Sequence, residues 1–417
     1  MKAEIVTIGD ELLIGQVVDT NSAFMATKLN EAGIHVCQIT SVSDNREHIM
    51  EALDNAKQRA DIILMTGGLG PTNDDITKNT LCEYFKVGLR FDSEAYKDVE
   101  YVFKVRGREV TEVNRRQAEL PENCTALRNK NGTAPGMWFD VDGKVYVSMP
   151  GVPYEMKALM EDEVIPRLQK KFTLPVIVHK NVLTIGIGES FLAEKIATWE
   201  ASLAKDGIKL AYLPSIGMVR LRLSSSGDDA TFLTQKTEKK IEELKTIVGE
   251  FIFGYDNDTL EGVTGALLKE RKQTISTAES CTGGYISHLI TSIAGSSDYY
   301  VGSVITYSYE IKTLELNVSA DLLNIKGAVS QEVVEQMASE VRRKFKTDYS
   351  IAVSGIAGPS GGTPEKPVGL VWIAIATPER VFSKKFQFAN NRLRNIQMTS
   401  NAALNLLRKE MLAIKSS

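Results

Sequence analysis

Three short runs rich in β-branched residues, at 3–8 (AEIVTI), 34–40 (IHVCQIT) and 61–66 (DIILMT), alternate with segments of helical period. No other feature restricts the fold as much. Such runs read as buried strands. Between them, one helix is expected near Asn21, with Phe24, Met25 and Leu29 on one face. A second is expected to open at Asp44, with Ile49, Leu53 and Ala56 spaced by three or four. Asp44 followed by Glu47 has capping-box spacing, so Asp44 is expected to cap that helix. Strands joined through helices pair in parallel by right-handed crossovers, which makes the first block, 1–172, a doubly wound α/β domain.

The pattern changes at 173–255. Strand 176–185, a helix carrying Leu192, Ile196 and Trp199, strands 208–213 and 217–224, a helix over 231–248 and a strand at 251–253 give the order β-α-β-β-α-β. This is a small split α+β domain, KH-like in outline, expected to connect its neighbours. Its GIGE turn is not the G-x-x-G clamp of a nucleic-acid-binding module. A polar turn, YDNDT, opens the third block, 256–417, where α/β alternation resumes.

Charge and side-chain inventory exclude several functions. Lys plus Arg is 49 and Asp plus Glu is 53, a net charge of −4, so no strong binding of nucleic acid is expected. No uncharged apolar run approaches the ~20 residues of a membrane helix. The N-terminal stretch carries Glu4, Asp10 and Glu11 and does not read as a signal peptide. The four cysteines lie far apart with no C-x-x-C, as in a reduced cytoplasm. The four histidines form no H-x-x-x-H pair. A cytoplasmic protein acting on small molecules is expected.

Strand 61–66 ends in Gly67-Gly68-Leu69-Gly70-Pro71-Thr72-Asn73-Asp74-Asp75. Glycines at the carboxyl end of a parallel strand let backbone N–H groups approach an anion. The spacing is neither that of a dinucleotide fingerprint nor of a Walker loop. Asp74 and Asp75 would repel a phosphate unless a divalent cation stood between them, and Asp44 ends a neighbouring strand–loop that reaches the same crevice.

In the third block, strand 273–277 runs into Glu279-Ser280-Cys281-Thr282-Gly283-Gly284 and then a helix. Ser280 and Cys281 are adjacent nucleophile candidates. His288 lies roughly 12 Å along the same helix, beyond hydrogen-bond reach. The base is therefore not a histidine, unless a distant one folds in. Lys312 fits the role, because burial turns an ammonium into a usable amine. Tyr307 can relay the proton or orient the serine. The loop Ser354-Gly355-Ile356-Ala357-Gly358 offers backbone N–H groups and a hydroxyl at the end of another strand.

IGDELLIG, GGLGPTNDD, NGTAPG and MPGVPYEM, with ESCTGG, VITYSYEIK, GAVS and SGIAGPSGG, together resemble the CinA-type competence/damage-inducible family over nearly the whole chain. For the first block the resemblance implies a molybdopterin-binding-like fold and a divalent-metal-dependent pyrophosphatase acting on ADP-ribose. Asp44 and Asp75 become metal and catalytic carboxylates; Gly67, Gly68, Gly70, Thr72 and Asp74 become substrate contacts. For the third block it implies nicotinamide mononucleotide deamidase, working without a cofactor. Ser280 becomes the nucleophile, Lys312 the base and Tyr307 an assisting hydroxyl. Gly283, Gly284, Ser354, Gly355, Gly358 and Arg394 become substrate-binding groups. A homodimer is also implied. An alternative keeps the first domain as a non-catalytic binding or competence-related module. Ser354 stands where the family usually has Thr, and Tyr309 where Asn is common.

Overall fold

A computed structural model describes residues 1–72, 75–105 and 107–413. The chain divides into two compact units, Met1–Val178 with Ser225–Thr234, and His179–Ser224 with Gln235–Ser417.

In the first unit, β1 (Lys2–Ile8), β2 (His35–Val42) and β3 (Ile62–Thr66) pair in parallel, with β1 central. A two-stranded ribbon of β4 (Leu89–Phe91) and β5 (Glu119–Pro121) stands apart. The main sheet continues through β6 (Cys124–Leu127), β7 (Gly136–Val141) and β8 (Lys144–Met149) in the order β2-β1-β3-β8-β7-β6. β8 is parallel to β3, and β7 and β6 follow antiparallel. Ile5, Leu64 and Val147 enter one core layer, while Val6, Met65 and Tyr146 enter the other. Both faces are covered, which is why these strands read as continuous apolar runs. Glu4 interrupts that pattern fully buried on β1. Its carboxylate accepts two bonds from the Arg59 guanidinium and one from Thr40 Oγ1, as a buried charge requires.

One expected helix boundary is corrected. The helix Arg46–Arg59 is capped by Asn45, whose side chain accepts from His48 N–H. Asp44 lies one residue outside it, and its Oδ2 accepts from Asp10 N–H instead. Asn caps a helix as well as Asp does, so two candidates side by side could not be ordered from sequence.

The middle segment forms a sheet of β9 (Val176–Ile185), β10 (Ile208–Ser215), β11 (Met218–Gly227) and β12 (Ile252–Tyr255), in the order β10-β11-β9-β12. The last sheet contains β13 (Ile275–Glu279), β14 (Tyr300–Ile305), β15 (Tyr349–Gly355), β16 (Leu370–Ala376) and β17 (Val381–Gln387), in the order β14-β13-β15-β16-β17. β14, β13 and β15 are parallel; β16 and β17 extend them antiparallel. Large residues such as Ile351 and Ile373 fill one face of this sheet. Ala352, Ala374 and Ala376 on the other leave room for the helix Gln331–Phe345, which packs Val334, Met337 and Val341 against them. Leu183, Ile185 and Phe253 join the core of this last sheet. Among the described residues no helix is long and apolar enough to cross a membrane.

Candidate functional sites

The parallel strands β1, β3 and β8 end at one edge, where open α/β sheets place their ligands. Ile8 and Gly9, Gly67 to Pro71, and Pro150 to Val152 line a cleft of about 370 Å³ there, joined by Asp44 from the segment after β2. Gly67 has φ 115°, and a Cβ on it would fall 2.1 Å from the Ile8 carbonyl oxygen, so only glycine fits. Asn21 Nδ2 donates to Gly151 O, and Thr66 Oγ1 donates to Pro150 O, tying the β3 and β8 loops together.

Four carboxylates, Glu11, Asp44, Asp75 and Glu155, line this cleft, and no Lys, Arg or His does so among the described residues. Asp75 Oδ2 accepts from both the N–H and the hydroxyl of Thr72. Thr72 thus spends its donors on Asp75. Glu155, buried, accepts from Asn129 Nδ2 at 2.6 Å. A Cβ on Gly132 would come within 1.9 Å of its Oε2. NGTAPG and MPGVPYEM are therefore two halves of one wall. Glu11, Glu155 and Gln117 were not singled out as site residues in the sequence; the IGDELLIG and MPGVPYEM strings were the available signals for the first two. Asp74 lies outside the described residues. Hard oxygen donors facing an opening without a cation suit a divalent ion. No group of three or more His, Cys, Asp or Glu set to hold a metal occurs among the described residues.

The second site forms where β13 ends. Glu279, its last residue, is fully buried and accepts from the N–H groups of Gly284, Ile286 and Ser287 and from the Thr282 and Ser287 hydroxyls. These bonds set the turn that carries Ser280. Lys312, on the helix Tyr309–Leu316 capped by Ser308, reaches the same point. Its Nζ donates to Ser280 Oγ at 3.0 Å and to Thr306 O at 2.5 Å. Lys312 is 1% exposed and Ser280 8%. Burial pulls the Lys312 ammonium down to about 8. Burial acts oppositely on the adjacent Cys281, 7% exposed and packed in the core, whose thiol it pushes up to about 12. A thiol so protonated is a poor nucleophile. His288 is exposed on the far turn of its helix.

The remaining expected residues fall differently. Tyr307 is 62% exposed, and its Oη accepts from Arg392 Nη2 at 2.9 Å. Arg392 Nη1 also donates to Gly358 O. Arg394 is exposed at the start of the same helix, so Arg392 is the guanidinium that the fold ties to Tyr307. The N–H groups of Gly283 and Gly284 serve the turn itself, donating to Ser280 O and Glu279 Oε2. Gly355 pairs with Val371 in the ladder. Ser354 Oγ donates to Ala328 O, while Tyr309 Oη accepts from Ala328 N–H. The two positions that depart from the expected pattern thus hold the same residue, Ala328, in the GAVS loop.

Residues 4–170 match the family described as "Probable molybdopterin binding domain", 179–254 the "Damage-inducible protein CinA KH domain" and 257–411 the "CinA C-terminal domain". Fold and sites define a protein that joins a molybdopterin-binding-type α/β domain and a small KH-like domain to an α/β domain built round a Ser–Lys pair. The chain belongs to the CinA family. It is 49% identical over 413 residues to a CinA-like protein of Cytophaga hutchinsonii, covering 99% of each chain. It is also 49% identical over 417 residues to that of Flavobacterium psychrophilum, again covering 99% of each. Among solved structures it is similar to the competence/damage inducible protein CihA of Agrobacterium tumefaciens, at 35% identity and TM-score 0.36, covering 36% of this chain and 92% of that one.

Proposed function

We propose that the third block hydrolyses the carboxamide of nicotinamide mononucleotide through an acyl-enzyme on Ser280. The buried hydrogen bond between Lys312 and Ser280 carries this reading. With its pKa near 8, part of Lys312 is an uncharged amine at neutral pH. The amine takes the Ser280 Oγ proton as Oγ adds to the carboxamide carbon. Returned to the amide nitrogen, that proton lets ammonia leave and an ester remain on Ser280. Water, deprotonated by the same amine, adds to the ester carbon, and the ester opens to carboxylate and free serine. Arg394, exposed at the start of the same helix, offers its planar fork to the nucleotide phosphate, while Arg392 holds Tyr307 and the Gly358 carbonyl beside it. The test is ammonia release from nicotinamide mononucleotide. Full activity in Ser280→Ala overturns the proposal.

For the first block the reading is metal-dependent hydrolysis of ADP-ribose to AMP and ribose 5-phosphate. The acidic cleft at the strand ends supports it. A divalent cation held by Asp44 and Asp75 would offset pyrophosphate charge and activate a water. Gly67, Gly68 and Gly70 let the backbone come close to phosphate oxygens. A second reading is binding without cleavage, since carboxylates and glycine loops also serve binding sites. AMP release titrated with magnesium separates the two. Equal rates in wild type and Asp75→Asn exclude the hydrolase.

A further inference from the structure

Gln117 lines the acidic cleft, 5% exposed, and neither its Oε1 nor its Nε2 has a hydrogen-bond partner among the described residues. Its backbone is held on both sides. Lys78 Nζ donates to the Arg116 carbonyl, and Ala118 is packed in the core and accepts from Asp92 N–H. An amide buried in this way has given up water on both atoms without return. A ligand that repairs the loss must bring an acceptor for Nε2 and a donor for Oε1 side by side. A phosphate oxygen supplies only the first and a cation only the second. Adenine carries both on one edge, N7 beside the N6 amino group, and a Gln amide pairs with that edge through two bonds.

We propose that Gln117 is a specificity residue that reads the amino edge of an adenine bound in the cleft and rejects hypoxanthine, whose O6 accepts where adenine donates. The inference rests on ADP-ribose being the ligand of this cleft. The full-length protein with magnesium is tested against ADP-ribose and inosine diphosphate ribose, measuring Kd by calorimetry and turnover by AMP or IMP release. Wild type is expected to bind ADP-ribose about tenfold or more tightly than the inosine compound. Gln117→Met is expected to bind both with one weak affinity, to keep kcat on ADP-ribose, and without ligand to melt no lower than wild type.

Equal wild-type affinities overturn the proposal, and this ratio decides the matter even if the variant does not fold. A Gln117→Met variant that weakens both ligands alike but keeps their ratio also overturns it, because the amide then reads sugar hydroxyls. So does a collapse of kcat at unchanged Kd, which assigns the amide to the reacting phosphates. Binding without cleavage removes the hydrolase reading, and the Kd ratio still judges Gln117. Binding of neither nucleotide removes the ADP-ribose reading and this proposal with it.

Discussion

At the scale of single residues, burial acts in opposite directions on two neighbours in the third block. Lys312 becomes less basic and Cys281 less acidic, which in the proposed mechanism arms the serine and silences its neighbour. Lys312→Met is expected to lower kcat by about 10²-fold or more, Ser280→Ala to abolish turnover, and Cys281→Ala to leave it nearly intact, all read by ammonia release. In the proposed mechanism the active form of Lys312 is the unprotonated one. The kcat/KM for nicotinamide mononucleotide should therefore rise about tenfold per pH unit below pH 7 and level off above its pKa of about 8. A flat profile across that range counts against the lysine as base. In the cleft of the first block, space decides instead. Gly132→Ala drives a methyl into the Glu155 carboxylate and should reduce stability by about 1–3 kcal/mol, seen as a lower Tm, together with nucleotide binding.

Elements show where periodicity ends and context begins. Continuous apolar runs announced β1 and β3, because both faces of that sheet are covered. The displacement of Asp44 from its expected cap was not legible, since Asp44 and Asn45 have equal capping chemistry. The two side chains now make opposite predictions. Asn45→Ala is expected to cost about 1 kcal/mol in denaturant unfolding with metal-dependent activity kept. Asp44→Ala is expected to lose that activity with the helix unharmed. Strand β13 begins and ends two residues later than its apolar pattern suggested, which puts Glu279 inside the strand. A buried carboxylate has no hydrophobic signature. Its role emerges only when five donors converge on it.

Across the whole molecule, the α/β alternation of the first and last blocks conceals different sheets, each completed by antiparallel strands after a parallel start. Leu183, Ile185 and Phe253 bury their side chains in the core of the last sheet. A fragment beginning at 256 is thus expected to be less stable than one beginning at 179 by on the order of 3 kcal/mol, measured by denaturant unfolding. A chelator should stop AMP release and leave ammonia release unchanged, because the first cleft is lined by carboxylates whereas the second site joins a serine to a lysine. The first three strands, the class of each domain and the candidate pair Ser280 and Lys312 were legible in local pattern and short motifs, since strand and helix periods and glycine turns are written in consecutive residues, whereas β4 to β8 were not read. Which arginine meets Tyr307, which residue caps the second helix, and that Gln117 lies without a partner among the described residues in a cleft lined by four carboxylates were decided by tertiary structure. Those facts depend on side chains distant along the chain competing for the same few ångströms.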